Sequence, residues 1–379
     1  MANSSRVGGI DFWRGCVLIA ILIDHVPGNL LDLLTPRNFG FSDSAEAFVF
    51  LSGLSVGIVY LPRASRHGIV AVAHACLRRA VKLYGAHIAL TLAALLIFAA
   101  AWRLSGVDHL IAAHGRSFVF ATPTSGLAGL AALTHQLGYF NILPLYVVLM
   151  LWAPVAILIA LKGPPLAIAA SVSIYAGSRL LDFRLPTWPE PGSWFFNPFA
   201  WQLVFTIGLV CAVLWRRGPP RPSVGLVALA GAVLVAALVA TGAAGLAPGL
   251  RDAASAHLDV AKQDLGLVRL GHFIALVYLL SVAPGFARVA EGTVGRAVQR
   301  LGRNSLPVFA AGSLLSAVGQ AATEAAEGYA SPQLVHFAGF AYTLTGVAML
   351  FALARWIECK DSSSPPSDRV LPSAAPQPL

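Results

Sequence analysis

The sequence predicts an all-α polytopic membrane protein of about ten transmembrane helices with both termini in the cytoplasm, on three observations. The first is composition: of 379 residues, 57% are hydrophobic and only 11% charged, against roughly 25% charged in an ordinary soluble domain. So few charges cannot keep that much apolar area dissolved, whereas a bilayer accepts about 20 apolar residues per crossing. The second is the recurrence of apolar runs of helical length. In a bilayer every backbone polar group needs an internal partner, and runs without strict alternation find it as helices rather than barrel strands. The third is the placement of Lys and Arg. With the termini and the loops after even-numbered spans pooled, one side holds 18 of the 26, and the positive-inside rule makes that side cytoplasmic. In a soluble protein the net charge of +9 would suggest nucleic acid. Here the cations flank apolar spans, so they read as topology signals and contacts to membrane lipid, with no nucleic acid.

The runs place spans near 12–31, 46–62, 80–102, 139–161, 164–181, 198–216, 222–244, 267–288, 304–323 and 334–357. Residues 1–10 form a short cytoplasmic segment. The first span lacks a small-residue cleavage pattern and is read as retained rather than as a signal peptide. The second carries Gly53 and Gly57, four apart, which suit close helix packing better than a ligand loop. The third begins at a cationic mouth, Arg78-Arg79-Ala-Val-Lys82. Pro144, Pro154 and Pro307 fall inside candidate spans, where each frees a backbone carbonyl and marks a kink or a cavity wall. The sixth span opens on Phe196-Asn197-Pro198-Phe199-Ala200-Trp201-Gln202, an interfacial aromatic belt or a sugar platform. Residues 11–358 thus form one membrane domain, and 359–379, rich in Pro and Ser, a disordered cytoplasmic tail. The four cysteines fit no metal-ligand spacing, and no metal or tightly bound cofactor is expected.

Ionisable side chains inside spans are costly, so they mark function. Arg14 and His25 are 11 apart, close to three helical turns, and project from one face about 16 Å apart along the axis. Asp11 can pair with Arg14 across one turn, while Asp24 points away from its neighbour His25. Glu46 enters the second span from outside, at roughly the depth of Asp24 and His25. Arg78, Arg79 and Lys82 are placed to clamp the phosphates of a nucleotide-like donor or simply to anchor the helix, and His87 lies further in. On the outer side, Lys262, Arg269 and His272 suit an anionic or polyhydroxyl ligand, with Arg269 and His272 on one face at i, i+3. Ser52 beside Gly53 lacks the strand-to-helix context of a nucleophile elbow.

These residues resemble a family. Arg14-x10-His25 is similar to the Arg/Lys-x10-His signature of the membrane acyltransferase-3 superfamily. More specifically, Asp11…Arg14-Gly15…Asp24-His25, Phe39-Gly-Phe…Ala45-Glu46-Ala-Phe-Val-Phe-Leu-Ser-Gly53, Lys82-Leu-Tyr…His87, Phe196-Asn-Pro-Phe-Ala-Trp-Gln202, Arg269…His272-Phe and Leu301-Gly-Arg-Asn-Ser-Leu-Pro-Val-Phe309 look like the OpgC family, the succinyltransferases of osmoregulated periplasmic glucans. The resemblance implies a multi-pass protein of the bacterial inner membrane that moves succinyl from a cytoplasmic thioester such as succinyl-CoA, a co-substrate, to hydroxyls of a periplasmic glucan. It assigns His25 as general base, with Asp24 or Glu46 orienting the imidazole. Arg14, Arg79, Lys82 and His87 are expected on the donor, and Asn197, Gln202, Arg269 and His272 on the acceptor or the oxyanion. Two other readings stay open: an O-acetyltransferase of another envelope glycan, and a proton-coupled transporter or flippase using Asp24, His25 and Glu46 as a relay.

Overall fold

The computed structural model describes residues 2–363 apart from 219, 243–246, 284 and 327–328; of the predicted tail, 364–379 lie outside the described residues. The chain is almost wholly helical, and its one strand pair among the described residues is the two-residue ladder of β1 (Pro186–Thr187) and β2 (Gly192–Ser193). Each predicted span overlaps a helix, although the run at 12–31 outlasts its helix by six residues and that at 267–288 outlasts one that ends at Val282. The first, α1 (Ala2–His25), starts well before the predicted run, so the short N-terminal segment is helix as well. The runs at 46–62 and 80–102 share one helical segment, α2 (Ser44–Ser105), broken at Gly68 with φ 78° and ψ 164°. Only a residue without a Cβ takes that backbone readily. Tyr60 and Arg79, on either side of the break, line one cavity, so the two halves lie side by side.

Three short helices, α3 (His109–Ala112), α4 (Arg116–Ala121) and α5 (Pro123–Ala131), occupy what the sequence reads as a plain loop. Then come α6 (Ile142–Lys162), α7 (Pro164–Leu180), α8 (Pro198–Leu214), α9 (Val224–Ala240), α10 (Pro248–His257), α11 (Leu267–Val282), α12 (Gly285–Glu291), α13 (Thr293–Arg303), α14 (Ser305–Ala326) and α15 (Pro332–Ser363). Among the described residues α2, α6, α14 and α15 are long and apolar enough to cross a membrane, while α8, α9 and α11 are apolar but shorter. α1 falls in neither group, because Asp11, Arg14, Asp24 and His25 dilute its apolar content.

Close packing comes from small residues. A Cβ on Gly53 would strike the Phe205 carbonyl, one on Gly57 would meet Leu209 O at 2.7 Å, and one on Gly208 would strike the Phe50 carbonyl. α2 and α8 therefore approach backbone to backbone. The bundle has two distinct ends. At one, α13 joins α1 and α15: Gly302 abuts the Asp11 backbone, and Arg303 Nη2 lies 2.8 Å from Glu358 Oε1. At the other, the loops are tied to one another. Asn197 N donates to Gln263 O (3.0 Å), Trp201 Nε1 to Lys262 O (3.0 Å), and Arg184 Nη2 pairs with Asp264 (2.9 Å). Arg116, buried under α3 and α4, lies 3.8 Å over the Phe98 ring and 3.0 Å from Glu324 of α14, tying the short helices to the bundle.

Candidate active site

His25 is the last residue of α1 and lies at the loop end. Its Nδ1 is 2.5 Å from the Ile21 carbonyl, one turn back. A carbonyl only accepts, so Nδ1 carries the proton and the ring presents the Nε2 lone pair, which has no hydrogen-bond partner among the described residues. Gln320 Nε2 of α14 donates to the His25 carbonyl at 2.9 Å and holds the backbone. The atom that orients the imidazole is thus a backbone carbonyl at a helix C-terminus, and neither Asp24 nor Glu46 fills the place expected for an orienting acid.

The two carboxylates have other partners. Asp24 faces the N-terminus of α2, with Ser44 Oγ at 3.5 Å and Arg37 Nε at 3.6 Å, and its buried Oδ1 accepts no hydrogen bond. Glu46 is fully buried in a capping box: Asp43 accepts from Ala45 N at 2.8 Å, and Glu46 Oε2 accepts from Asp43 N at 2.9 Å. Arg269 bridges Glu46 and Asp43, and Lys262 Nζ lies 2.6 Å from Asp43 Oδ2. Burial pushes the Asp43 carboxyl up, but Lys262 and Arg269 outweigh it and hold the group well below the usual carboxylate range.

The outer residues expected on an acceptor are likewise engaged within the protein. Asn197 is fully buried, caps α8 through Phe199 N (3.1 Å) and donates to Asp264 Oδ1 (3.0 Å). Gln202 is bonded on both sides, donating to Ser171 O at 2.8 Å and accepting from Ser171 Oγ at 2.6 Å. His272 Nδ1 accepts from Ser42 N at 3.3 Å and meets Ser42 Oγ at 2.7 Å, its ring lying where a Cβ on Gly40 would stand. The Phe196–Gln202 segment is therefore an internal clamp rather than a sugar platform; Phe196 and Trp201 are buried edge to face at 4.8 Å.

Toward the other end of α1, Arg14 Nη1 lies 3.2 Å from Asp11 and Nη2 contacts Ser55 Oγ. Arg14 and Arg79 line one cavity of about 270 Å³ with Ser52, Ser55, Tyr146 and Phe309. Ser52 Oγ donates to Tyr146 Oη at 3.0 Å. Lys82 is exposed and outside this lining, and His87 is buried one turn from Thr91 (3.4 Å), also outside it. At about 100° per residue Lys82 is turned roughly 60° from Arg79 and His87 roughly 80°, which leaves Lys82 at the surface and His87 in the packed interior.

A residue the sequence does not single out, Tyr139, stands beside His25, and His114 stands beside Tyr139. The Tyr139 ring lies 5.1 Å from the His25 ring and 5.2 Å from that of His114, edge to face with both. Both residues hold positive φ, 70° at Tyr139 and 56° at His114, a backbone region that side chains other than glycine seldom occupy. No periodicity or motif exposes such a pair, because they meet only when two loops fold together.

A family model described as OpgC protein matches residues 6–362. The chain belongs to the OpgC family. No curated protein and no solved structure matches it. Membership of the OpgC family supports acyltransferase activity, and the long apolar helices are those of a membrane protein.

Proposed function

We propose that this OpgC-family chain moves a succinyl group from a cytoplasmic thioester, succinyl-CoA or a close analogue, to hydroxyls of a periplasmic glucan. On this reading the chain crosses the bacterial inner membrane ten times, with the end where α13 joins α1 and α15 in the cytoplasm, both termini with it, and the loop end in the periplasm. Placement in the wider acyltransferase-3 superfamily, suggested by Arg14-x10-His25, belongs to the same proposal.

The observation that carries it is the division of α1. Arg14, with Arg79 from a helix half far away in sequence, lines a polar-tipped cavity, and His25 offers a free Nε2 at the loop end of the same helix. Two guanidinium groups match the phosphates of a coenzyme or the terminal carboxylate of a succinyl group. Nε2 takes the proton of a glucan hydroxyl as its oxygen attacks the thioester carbonyl carbon. The C–S bond then breaks and the thiolate recovers the proton. The Ile21 carbonyl keeps its hydrogen bond from Nδ1 throughout and so holds the ring in place.

Transfer from labelled succinyl-CoA to a gluco-oligosaccharide, measured with the purified protein, tests the donor half. Arg14→Ala and Arg79→Ala are each expected to raise the donor KM about tenfold or more, the scale of a lost charge-assisted contact, and acetyl-CoA is expected to compete weakly. An unchanged donor KM in both variants would remove the cations from the donor site. Preferential use of acetyl-CoA would make the protein an O-acetyltransferase.

A further inference from the structure

The Phe196–Gln202 segment, readable from sequence as an aromatic belt or a sugar platform, is an internal clamp, and an aromatic ring beside His25 comes from another loop. Tyr139 is 40% exposed and its ring touches that of His25. The loop that carries it is built with unusual care. Gly138 N donates to the His114 carbonyl at 2.9 Å, a Cβ on Gly138 would stand 2.9 Å from His114 Cβ, and His135 Nε2 lies 2.8 Å from Gly115 O. Leu133, His114 and Tyr139 are all held at positive φ. Such outliers persist only where surrounding contacts over-determine them, and they gather at ligand sites.

His114 lies edge to face with the same ring, centroids 5.2 Å apart. Burial, then the Arg116 charge, hold its imidazole below the ordinary histidine value, so at neutral pH it is an uncharged group that both donates and accepts. A second half-exposed ring, Trp188, is tied to the same segment, since Trp188 N donates to Thr134 O and Thr134 Oγ1 to Trp188 O, both at 3.0 Å. Rigid aromatic faces with a few fixed polar groups are the ordinary means of holding a ligand that is apolar on its ring faces and polar at its rim. A pyranose has that character, its C–H groups covering the faces and its hydroxyls the edge.

We propose that Tyr139 is the acceptor platform: a pyranose of an oligosaccharide stacks on its ring, His114 hydrogen-bonds the sugar rim, and a hydroxyl is presented to His25 Nε2. The inference rests on the reading of His25 as the base and adds the group that positions the sugar against it. Tyr139 is a positioning residue, and no bond to it forms or breaks.

The test uses the full-length protein in detergent with an unsubstituted β-linked gluco-oligosaccharide and succinyl-CoA. Calorimetry of sugar binding without donor is combined with separate KM values for donor and acceptor. Tyr139→Ala and Tyr139→Leu are expected to weaken sugar binding and raise the acceptor KM about tenfold, leaving the donor KM unchanged. Tyr139→Phe, which keeps the ring, is expected to restore both. Unchanged sugar binding in the Ala and Leu variants would overturn the proposal, as would equal losses on the donor and acceptor sides, the mark of a merely structural residue. If wild type binds sugar through Tyr139 but transfers nothing, the platform stands and the transferase reading falls. If wild type transfers and the Tyr139 variants match it, the platform falls alone.

Discussion

The His25 imidazole is oriented by a backbone atom. The hydrogen bond to Ile21 sets the tautomer that leaves Nε2 available, a task that in a catalytic triad belongs to a carboxylate. The acids thereby released hold the loop end together, and Asp43 makes that role measurable. Lys262 and Arg269 outweigh the effect of burial and depress its carboxyl. The unfolded chain therefore binds more protons than the folded one between the depressed value and about 4, the ordinary carboxylate value. Stability from this group is complete above that range and is lost as pH falls through the folded value. Asp43→Asn is expected to cost about 3 kcal/mol at pH 7, the scale of breaking a buried ion pair. It is also expected to flatten the fall in melting temperature between pH 5 and pH 3; equal slopes in wild type and variant would contradict the clasp. That Arg14 and His25 share one helix is legible in the sequence, because their spacing falls within a single apolar run. The meeting of Tyr139 and His114 is not, since it depends on two loops whose backbone is held against its ordinary preference.

Among the elements, α2 shows where local signals reach and where they stop. Asp43-x-x-Glu46 is a capping box written in the sequence, and reading it would have placed Glu46 in a helix cap rather than beside His25. Gly53 and Gly57 were read correctly as a packing face, against α8. A side chain at Gly53 must displace the Phe205 backbone, which cannot move without shifting α8. Gly53→Val is accordingly expected to destabilise the protein by at least about 2 kcal/mol through overpacking, seen as a lower melting temperature in detergent. A melting temperature equal to wild type would show that the two helices are not in backbone contact. The internal use of Asn197 and Gln202 was hidden for the opposite reason: amide side chains near a helix start serve a cap and a ligand equally well, and only their buried partners decide.

Over the whole molecule, the apolar runs locate the long apolar helices, because a bilayer leaves few alternatives for such segments. The short helices α3 to α5 and the knitted loop end are not legible in the sequence, since they depend on pairings between residues far apart in the chain, such as Arg116 of α4 with Glu324 of α14. The two ends make opposite predictions for labelling. In cells with a permeabilised outer membrane, an impermeant maleimide is expected to modify Ser125→Cys at the loop end. Cys359, at the end that carries the termini, is expected to react only after the inner membrane is broken. The reverse pattern would invert the protein. The central claim is that one face of α1 joins a donor cavity to a base that acylates a sugar outside. Its most direct test is mass spectrometry of periplasmic glucans from cells lacking the protein, complemented with wild type or with His25→Ala. A succinyl-sized increment is expected with wild type alone, the His25→Ala protein being inserted at a normal level. Normal substitution in the His25→Ala strain, or glucans identical in all strains, would contradict the account.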